Sequence, residues 1–136
     1  FYMYRNTAQT INHATGPNII QFDQQRINEG GGVTLGANAK YTVPANAGGI
    51  YVLHAHGRLN SGTDGNASVG LFVNGNGIVT TYYYNGYYDG MNCSSLQNLS
   101  AGDYVEMKMA NSTGSNLAVG QPDAGDTVFM WGYRLG

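Results

Sequence analysis

Apolar and polar residues alternate with a period of two along most of this chain, and each alternating stretch ends in Gly, Asn, Asp or Pro. This pattern is typical of short β-strands joined by tight turns. It predicts ten strands, over Tyr2–Asn6, Asn18–Phe22, Ala39–Val43, Ile50–Leu59, Ser68–Asn74, Ile78–Tyr84, Cys93–Leu99, Tyr104–Ala110, Leu117–Val119 and Thr127–Leu135. Because no stretch has the pattern of an amphipathic helix, we expect an all-β sandwich or barrel.

Two strands indicate which of their faces is buried. In GIYVLHAHGRL, one face carries Tyr51, Leu53, Ala55, Gly57 and Leu59, and the other carries Val52, His54, His56 and Arg58. In YVEMKM, Val105, Met107 and Met109 share the apolar face. The Asn-Gly pair in VNGNGI favours a type I′ turn, so residues 68–84 are predicted to form one hairpin.

The composition supports the all-β prediction and excludes some partners. The 136 residues include 21 Gly and 11 Tyr, only 10% are charged, and the net charge is -2. A chain of this length suits a single domain over residues 1–136. The basic residues are scattered and no apolar run is long enough to span a bilayer, so we expect no nucleic acid partner and no membrane insertion.

The single cysteine and the sequons bear on the compartment. Cys93 has no partner for an internal disulfide and is predicted to be a small buried residue. Four Asn-x-Ser/Thr sequons, at Asn66, Asn92, Asn98 and Asn111, suit a secreted protein, although a chain this rich in Asn, Ser and Thr also produces them by chance.

The glycine run in FDQQRINEGGGV raises the question of a phosphate loop. Such a loop needs a helix after it whose N-terminus faces the anion, and Gly32 is followed instead by VTLGANAK, which has no helical pattern. We therefore predict that Gly30, Gly31 and Gly32 allow the backbone to turn between strands.

Several motifs together resemble a known family. They are IQFDQQRINEGGGV, YTVPANAGGIYVLHAHG, SVGLFVNG, LSAGDYVEMKM and FMWGYRL, and they occur in the order found in the C1q domain and its tumour necrosis factor relatives. The resemblance covers nearly the whole chain. Val33 stands where the family usually has an aromatic residue, and Leu53 stands where it usually has Phe, which indicates a divergent, invertebrate-type C1q domain-containing protein.

The resemblance implies a ten-stranded antiparallel jelly-roll sandwich that assembles as a homotrimer, with a subunit interface built from the aromatic face of one sheet. It also implies a secreted, extracellular protein.

His54 and His56 are the strongest candidates for a metal pair, because side chains two residues apart on a strand project from the same face. The glutamate that would complete a cupin-type site is missing from the following GRLNSG, and His13 lies in a loop. We therefore favour a polar row facing solvent or a neighbouring subunit. On a trimer interface, protonation near pH 6 would bring like charges together.

Four aspartates in turn-like segments are candidate ligands for Ca²⁺, which prefers oxygen ligands: Asp64, Asp89, Asp123 and Asp126. Asp next to Gly is also common in turns. By the resemblance, Asp89 matches a position that binds calcium in some C1q-domain trimers, but Thr81 stands where the partner acid would be.

The segment TTYYYNGYYDGMN is the most unusual in the chain. Exposed aromatic rings beside amide and carboxylate groups can stack on sugars and bind their hydroxyls. The same rings could instead fill a subunit interface. The candidate ligand-binding residues are Tyr83, Asn85, Tyr87, Tyr88 and Asp89.

No Ser, Thr or Cys lies in a strand-turn-helix elbow and no acid is placed to orient a histidine, so we expect no enzyme activity. The resemblance implies lectin-like pattern recognition of glycans or microbial surface polymers in innate immunity. The alternative is a structural or signalling ligand of the C1q type, which binds a protein receptor or builds an extracellular network.

Overall fold

The computed structural model describes residues 1–60, 65–84, 90–120 and 126–136. Over these residues the chain forms thirteen strands: β1 (Tyr2–Tyr4), β2 (Gln9–Ile11), β3 (Asn18–Ile19), β4 (Gln24–Ile27), β5 (Val33–Thr34), β6 (Lys40–Thr42), β7 (Gly49–Gly57), β8 (Asn66–Val73), β9 (Asn76–Tyr84), β10 (Met91–Leu99), β11 (Tyr104–Asn111), β12 (Leu117–Val119) and β13 (Val128–Arg134). A 3-10 turn over Glu29–Gly31 separates β4 from β5. Within the described ranges, no helix is long and apolar enough to cross a membrane.

The strands form two main antiparallel sheets. The first has the order β10-β7-β13-β1-β4, and the second has the order β5-β6-β11-β8-β9 with β3 paired to β11. A separate ribbon joins β12 to β2. This arrangement confirms the predicted all-β jelly-roll sandwich.

The core lies between the two sheets. Leu53 and Met130 of the first sheet and Leu71 and Met107 of the second are fully buried members of one apolar cluster. Along β7, buried and partly exposed positions alternate from Tyr51 to Gly57. The alternation read from the sequence therefore assigned the core face of this strand correctly.

Each of the ten predicted strands overlaps an observed one, and three further strands, β2, β4 and β5, were not predicted. The predicted hairpin over 68–84 is confirmed, since β8 pairs with β9. Its turn residues Asn74 and Gly75 have φ of 51° and 80°. Both values are positive, as a type I′ turn requires.

The glycine run turns the backbone, as the sequence predicted. Gly30 and Gly31 have φ of 79° and 76°, and the chain passes from the 3-10 turn directly into β5. Gly32 has an ordinary φ of -81°, but a Cβ there would lie 2.2 Å from the carbonyl oxygen of Thr42 and 2.6 Å from the ring of Tyr41. Gly32 is therefore required by close backbone approach and not by its torsion angles.

Replacing Gly32 with Ala is expected to lower the free energy of unfolding by about 2–3 kcal/mol, because the new methyl group must displace backbone. Urea unfolding followed by circular dichroism measures the change. Gly48 is the matched control, since a Cβ at that position would meet its nearest neighbour at 3.3 Å. If Gly32→Ala and Gly48→Ala lower the free energy of unfolding equally, close backbone approach does not explain the requirement for glycine at position 32.

The segment after β3 is anchored by its Phe-Asp pair. Phe22 is fully buried although it lies in no strand. The carboxylate of Asp23 accepts hydrogen bonds from the backbone N–H groups of Asn6 at 2.9 Å and Thr7 at 3.0 Å. One residue thus fills the core, and the next ties this segment to the loop after β1.

Cys93 lies on the core side of β10. Its side chain is buried, as the sequence predicted, and it pairs across the sheet with Ala55. Burial raises the pKa of the Cys93 thiol to about 11. The group is therefore protonated at neutral pH.

Candidate functional site

The outward side of the first sheet carries a continuous aromatic surface. Strand register places Trp131 beside His54 and Tyr2, and places Phe129 beside His56 and Tyr4. Because side chains two residues apart on a strand point the same way, these rings all lie on one side of the sheet. We call this surface the aromatic face: Tyr2, Tyr4, His54, His56, Phe129, Trp131 and Tyr133.

The rings of the aromatic face stack on one another. Ring centroids are 5.0 Å apart for His54 and Trp131, 4.9 Å for His56 and Phe129, and 5.5 Å for Tyr2 and Phe129. The planes in these pairs lie within 21° of parallel. Such pairs contribute about 0.5–1.5 kcal/mol beyond area burial, so the face is held in one arrangement.

Exposed apolar side chains lie within the aromatic face and next to it. Leu96 is 61% exposed and Tyr133 is 53% exposed, and both lie opposite Val52 in the register. Ile27, opposite Tyr2, is also exposed, as is Ile50. A contiguous apolar surface of this kind is typical of a protein-protein contact.

His54 and His56 lie within the aromatic face, and both hydrogen-bond to β10. The Nδ1 atom of His54 is 2.8 Å from the hydroxyl of Ser94, and the Nδ1 atom of His56 is 2.8 Å from the amide oxygen of Asn92. Burial among the rings, and then repulsion from His56, lowers the pKa of His54 below its ordinary value. In the described part of the chain, no group of three or more His, Cys, Asp or Glu side chains could hold a metal ion.

An ion pair closes one edge of the aromatic face. Arg26 contacts both carboxylate oxygens of Asp126 at 3.0 Å, and the Tyr2 hydroxyl donates to Asp126 at 2.6 Å. The guanidinium lies over the rings of Tyr4 and Tyr2, 5.0 Å and 5.5 Å from their centroids. Burial and then the hydrogen bond to Asp126 raise the pKa of Tyr2, which keeps its hydroxyl a donor.

No protein-family model matches the chain, and neither does any curated protein sequence. Solved structures do match. The globular domain of zebrafish complement 1qA protein is 14% identical with a TM-score of 0.66, and the match covers 100% of this chain and 96% of that one. Eiger TNF from S. frugiperda is 14% identical with a TM-score of 0.71, covering 99% and 90%. Murine APRIL is 13% identical with a TM-score of 0.71, covering 98% and 96%.

The chain has a C1q/TNF-like fold. At this level of identity the likeness establishes the architecture, and it agrees with the resemblance seen in the sequence motifs.

In this C1q/TNF-like domain, the structure describes two of the residues predicted from the sequence as ligand or calcium contacts. Tyr83 lies near the end of β9 and is 37% exposed. Asp126 lies against Arg26 and Tyr2, and both of its carboxylate oxygens have partners. The other candidates lie outside the described residues: Asn85, Tyr87, Tyr88, Asp89, Asp64 and Asp123.

The described residues that flank those candidates are neighbours. Asn66, after segment 61–64, pairs with Tyr84, before segment 85–89. Asn60, before segment 61–64, donates from its side-chain amide to the carbonyl of Gly120, before segment 121–125, at 2.8 Å. A described flank of segment 61–64 therefore lies beside a described flank of segment 85–89, and its other flank lies beside the flank of segment 121–125.

Sequence reasoning did not name Phe129, Trp131, Tyr2 or Tyr4 as site residues. Their signal was present, since FMWGY places an aromatic residue at every second position. The exposed tyrosines of β9, Tyr82 and Tyr83, belong to the other sheet and are separate from the aromatic face.

Proposed function

We propose that this chain is a secreted, non-catalytic recognition domain that acts as a homotrimer and binds glycans or microbial surface polymers in the manner of a lectin. The observation that carries the proposal is the partly exposed aromatic face of the first sheet, which adjoins the exposed side chains of Leu96, Ile50 and Ile27. An apolar surface of this kind is unfavourable in water and is expected to be covered.

The occupant we propose for the aromatic face is further copies of the same chain. Aromatic residues are enriched and charged residues depleted at the centre of protein interfaces. Two described acids lie at the edge of this face: Asp126 is paired with Arg26, and Glu29 lies close to the Phe1 ammonium. A face without strong net charge can pack against copies of itself, and the C1q-type resemblance implies three copies.

The ligand surface we propose is the end of the sandwich where β9 leads into residues 85–89. Tyr82 is 74% exposed and Tyr83 is 37% exposed next to this segment. Tyr83, Asn85, Tyr87, Tyr88 and Asp89 supply aromatic, amide and carboxylate groups that suit sugar rings and hydroxyls. Three such surfaces on one trimer would convert weak single contacts into useful avidity.

A glycan array probed with fluorescently labelled protein tests the ligand assignment. We expect binding to a restricted set of glycans, competed by the corresponding soluble sugar, and weakened about tenfold or more in Tyr83→Ala and in Tyr87→Ala/Tyr88→Ala. Tyr104→Ala is the matched control, because Tyr104 lies beside the Asn74–Gly75 turn at the other end of β8. A chelator arm tests whether Asp64, Asp89 and Asp123 bind calcium for this contact.

The alternative, a structural or signalling ligand, predicts a different outcome in the same experiment. Surface binding would then persist in excess soluble sugar, and one receptor protein would be captured specifically. The lectin assignment is wrong if no glycan binds and the tyrosine variants behave like Tyr104→Ala.

A further inference from the structure

The two histidines of the aromatic face would lose hydration if a neighbouring subunit covered the face, and this loss disfavours their charged form. The His54 ring lies 5.0 Å from Trp131 and 5.9 Å from Phe129, with planes within 28° of parallel. His56 stacks on Phe129 at 4.9 Å. Both rings are therefore part of the surface that a neighbouring subunit would cover, and water that hydrates an imidazolium would be removed there on assembly.

The hydrogen-bond partners of the two rings are neutral. Ser94 and Asn92 contact the Nδ1 atoms of His54 and His56, and neither partner is a carboxylate. The oxygen of Asn92 accepts, so Nδ1 of His56 donates and its Nε2 is the atom that takes up a further proton. A carboxylate at these places would stabilise an imidazolium, but Ser94 and Asn92 supply no compensating charge.

The charged groups on the surrounding strands are mostly basic. Strand β7 is followed by Arg58, β13 ends in Arg134, and β4 contributes Arg26. Strands β10 and β1 carry no Asp, Glu, Lys or Arg. Two described acids lie at the edge of this face: Asp126, which Arg26 neutralises, and Glu29, which lines a pocket with Tyr2, Trp131 and Tyr133 and lies close to the Phe1 ammonium.

One further acid must be considered. The His56 ring packs against Gly90, where a Cβ would lie 2.2 Å from its Cε1 atom. Asp89 precedes Gly90 in the sequence and lies outside the described residues. The experiment below therefore includes a variant at Asp89.

We infer that assembly through the aromatic face is proton-sensitive: His54 and His56 are neutral in the trimer, and their protonation in mildly acidic solution separates the subunits. The inference rests on the proposed homotrimer and adds a way in which its subunits separate. A recognition protein of this kind would bind with full avidity at neutral pH and lose that avidity on acidification.

The direction of the effect follows from proton linkage. Burial and repulsion from His56 already lower the pKa of His54 in the single chain, and covering the face adds further burial. The trimer then binds fewer protons than separate subunits do. Assembly is therefore complete above the ordinary histidine pKa of about 6.5 and weakens as the pH falls below it. Each linked proton lowers the association constant about tenfold per pH unit.

Sedimentation velocity over a concentration series at pH 7.5, 6.0 and 5.0 tests the inference. We expect trimer at pH 7.5, at least about tenfold weaker association at pH 5.0, and recovery on neutralisation. His54→Gln/His56→Gln should associate equally at all three pH values. His13→Gln, at an exposed loop position, should dissociate like the parent chain, and so should Asp89→Asn. Circular dichroism at pH 5.0 confirms that the strands remain intact.

The outcomes separate the inference from the proposal on which it rests. A chain that stays a single subunit at pH 7.5 overturns both. A trimer that persists at pH 5.0 overturns the proton switch alone, and so does acid dissociation that is unchanged in His54→Gln/His56→Gln. Should the double variant unfold, a histidine NMR titration of the parent chain decides, because the inference requires the His54 and His56 resonances to shift over the same pH range as dissociation.

Discussion

Replacing Trp131 with glutamate is expected to convert the proposed homotrimer into folded single subunits. Trp131 stacks on His54 at 5.0 Å and on Tyr133 at 6.0 Å. A carboxylate at this position would lose its hydration on assembly, and burying a charge is costly. We expect the free energy of association to become less favourable by about 3 kcal/mol, as at an interface hot spot. This corresponds to an association constant that is ~150-fold lower.

Sedimentation velocity at pH 7.5 measures this effect, and circular dichroism checks the fold of the variant. Tyr82→Glu is the matched control, because Tyr82 is an aromatic residue that is 74% exposed on the other sheet. It should leave association unchanged. A folded Trp131→Glu chain that still forms trimers would show that the aromatic face is not the subunit interface.

Replacing Phe22 with alanine is expected to lower the free energy of unfolding by about 3–5 kcal/mol. Phe22 is among the largest fully buried side chains, and its carbonyl accepts from the N–H of Gly36 at 2.7 Å. Hydrogen bonds from Gly36 to the Phe22 carbonyl and from Asn6 and Thr7 to Asp23 hold the backbone around Phe22 in place. This backbone therefore cannot move readily into the cavity that the missing ring would leave. Urea unfolding should be measured in the Trp131→Glu background, so that subunit association does not add to the apparent stability.

Leu35→Ala is the matched control for the core prediction. Leu35 is 37% exposed, so its truncation removes less buried surface and is expected to cost less than about 1 kcal/mol. Similar losses in Phe22→Ala and Leu35→Ala would mean that Phe22 does not anchor the segment. The slope of the unfolding free energy against urea should be unchanged if only stability has been altered.

The sequence predicted strands best where one face is buried over many residues. Strand β7 alternates over its whole length, and its pattern identified the core side chains. Strand β4 is different, because all four of its residues are exposed and no alternation arises. Strands β2 and β5 have only three and two residues. These three strands are defined by backbone pairing with neighbouring strands. Their residue types do not indicate that pairing.

The sequence indicated some residues of the aromatic face but not that they lie together. The sequence placed His54 and His56 on the polar side of their strand. It could not show that Trp131 and Phe129 lie beside them, because strand order depends on pairing between distant parts of the chain. Asp126 is a similar case: its partner Arg26 is 100 residues away in the sequence. From its local sequence the aspartate was a candidate calcium ligand or a turn residue, and nothing local indicated the ion pair.

The reactivity of the buried Cys93 thiol reports local opening of the sandwich. The thiolate is the form that reacts with alkylating reagents, and at neutral pH the enclosed group, with a pKa of about 11, is almost entirely unreactive. Labelling must therefore wait until β10 separates from the core, so the alkylation rate reports how often this strand opens. Mass spectrometry of the alkylated chain can therefore measure the opening rate of β10 without an engineered cysteine.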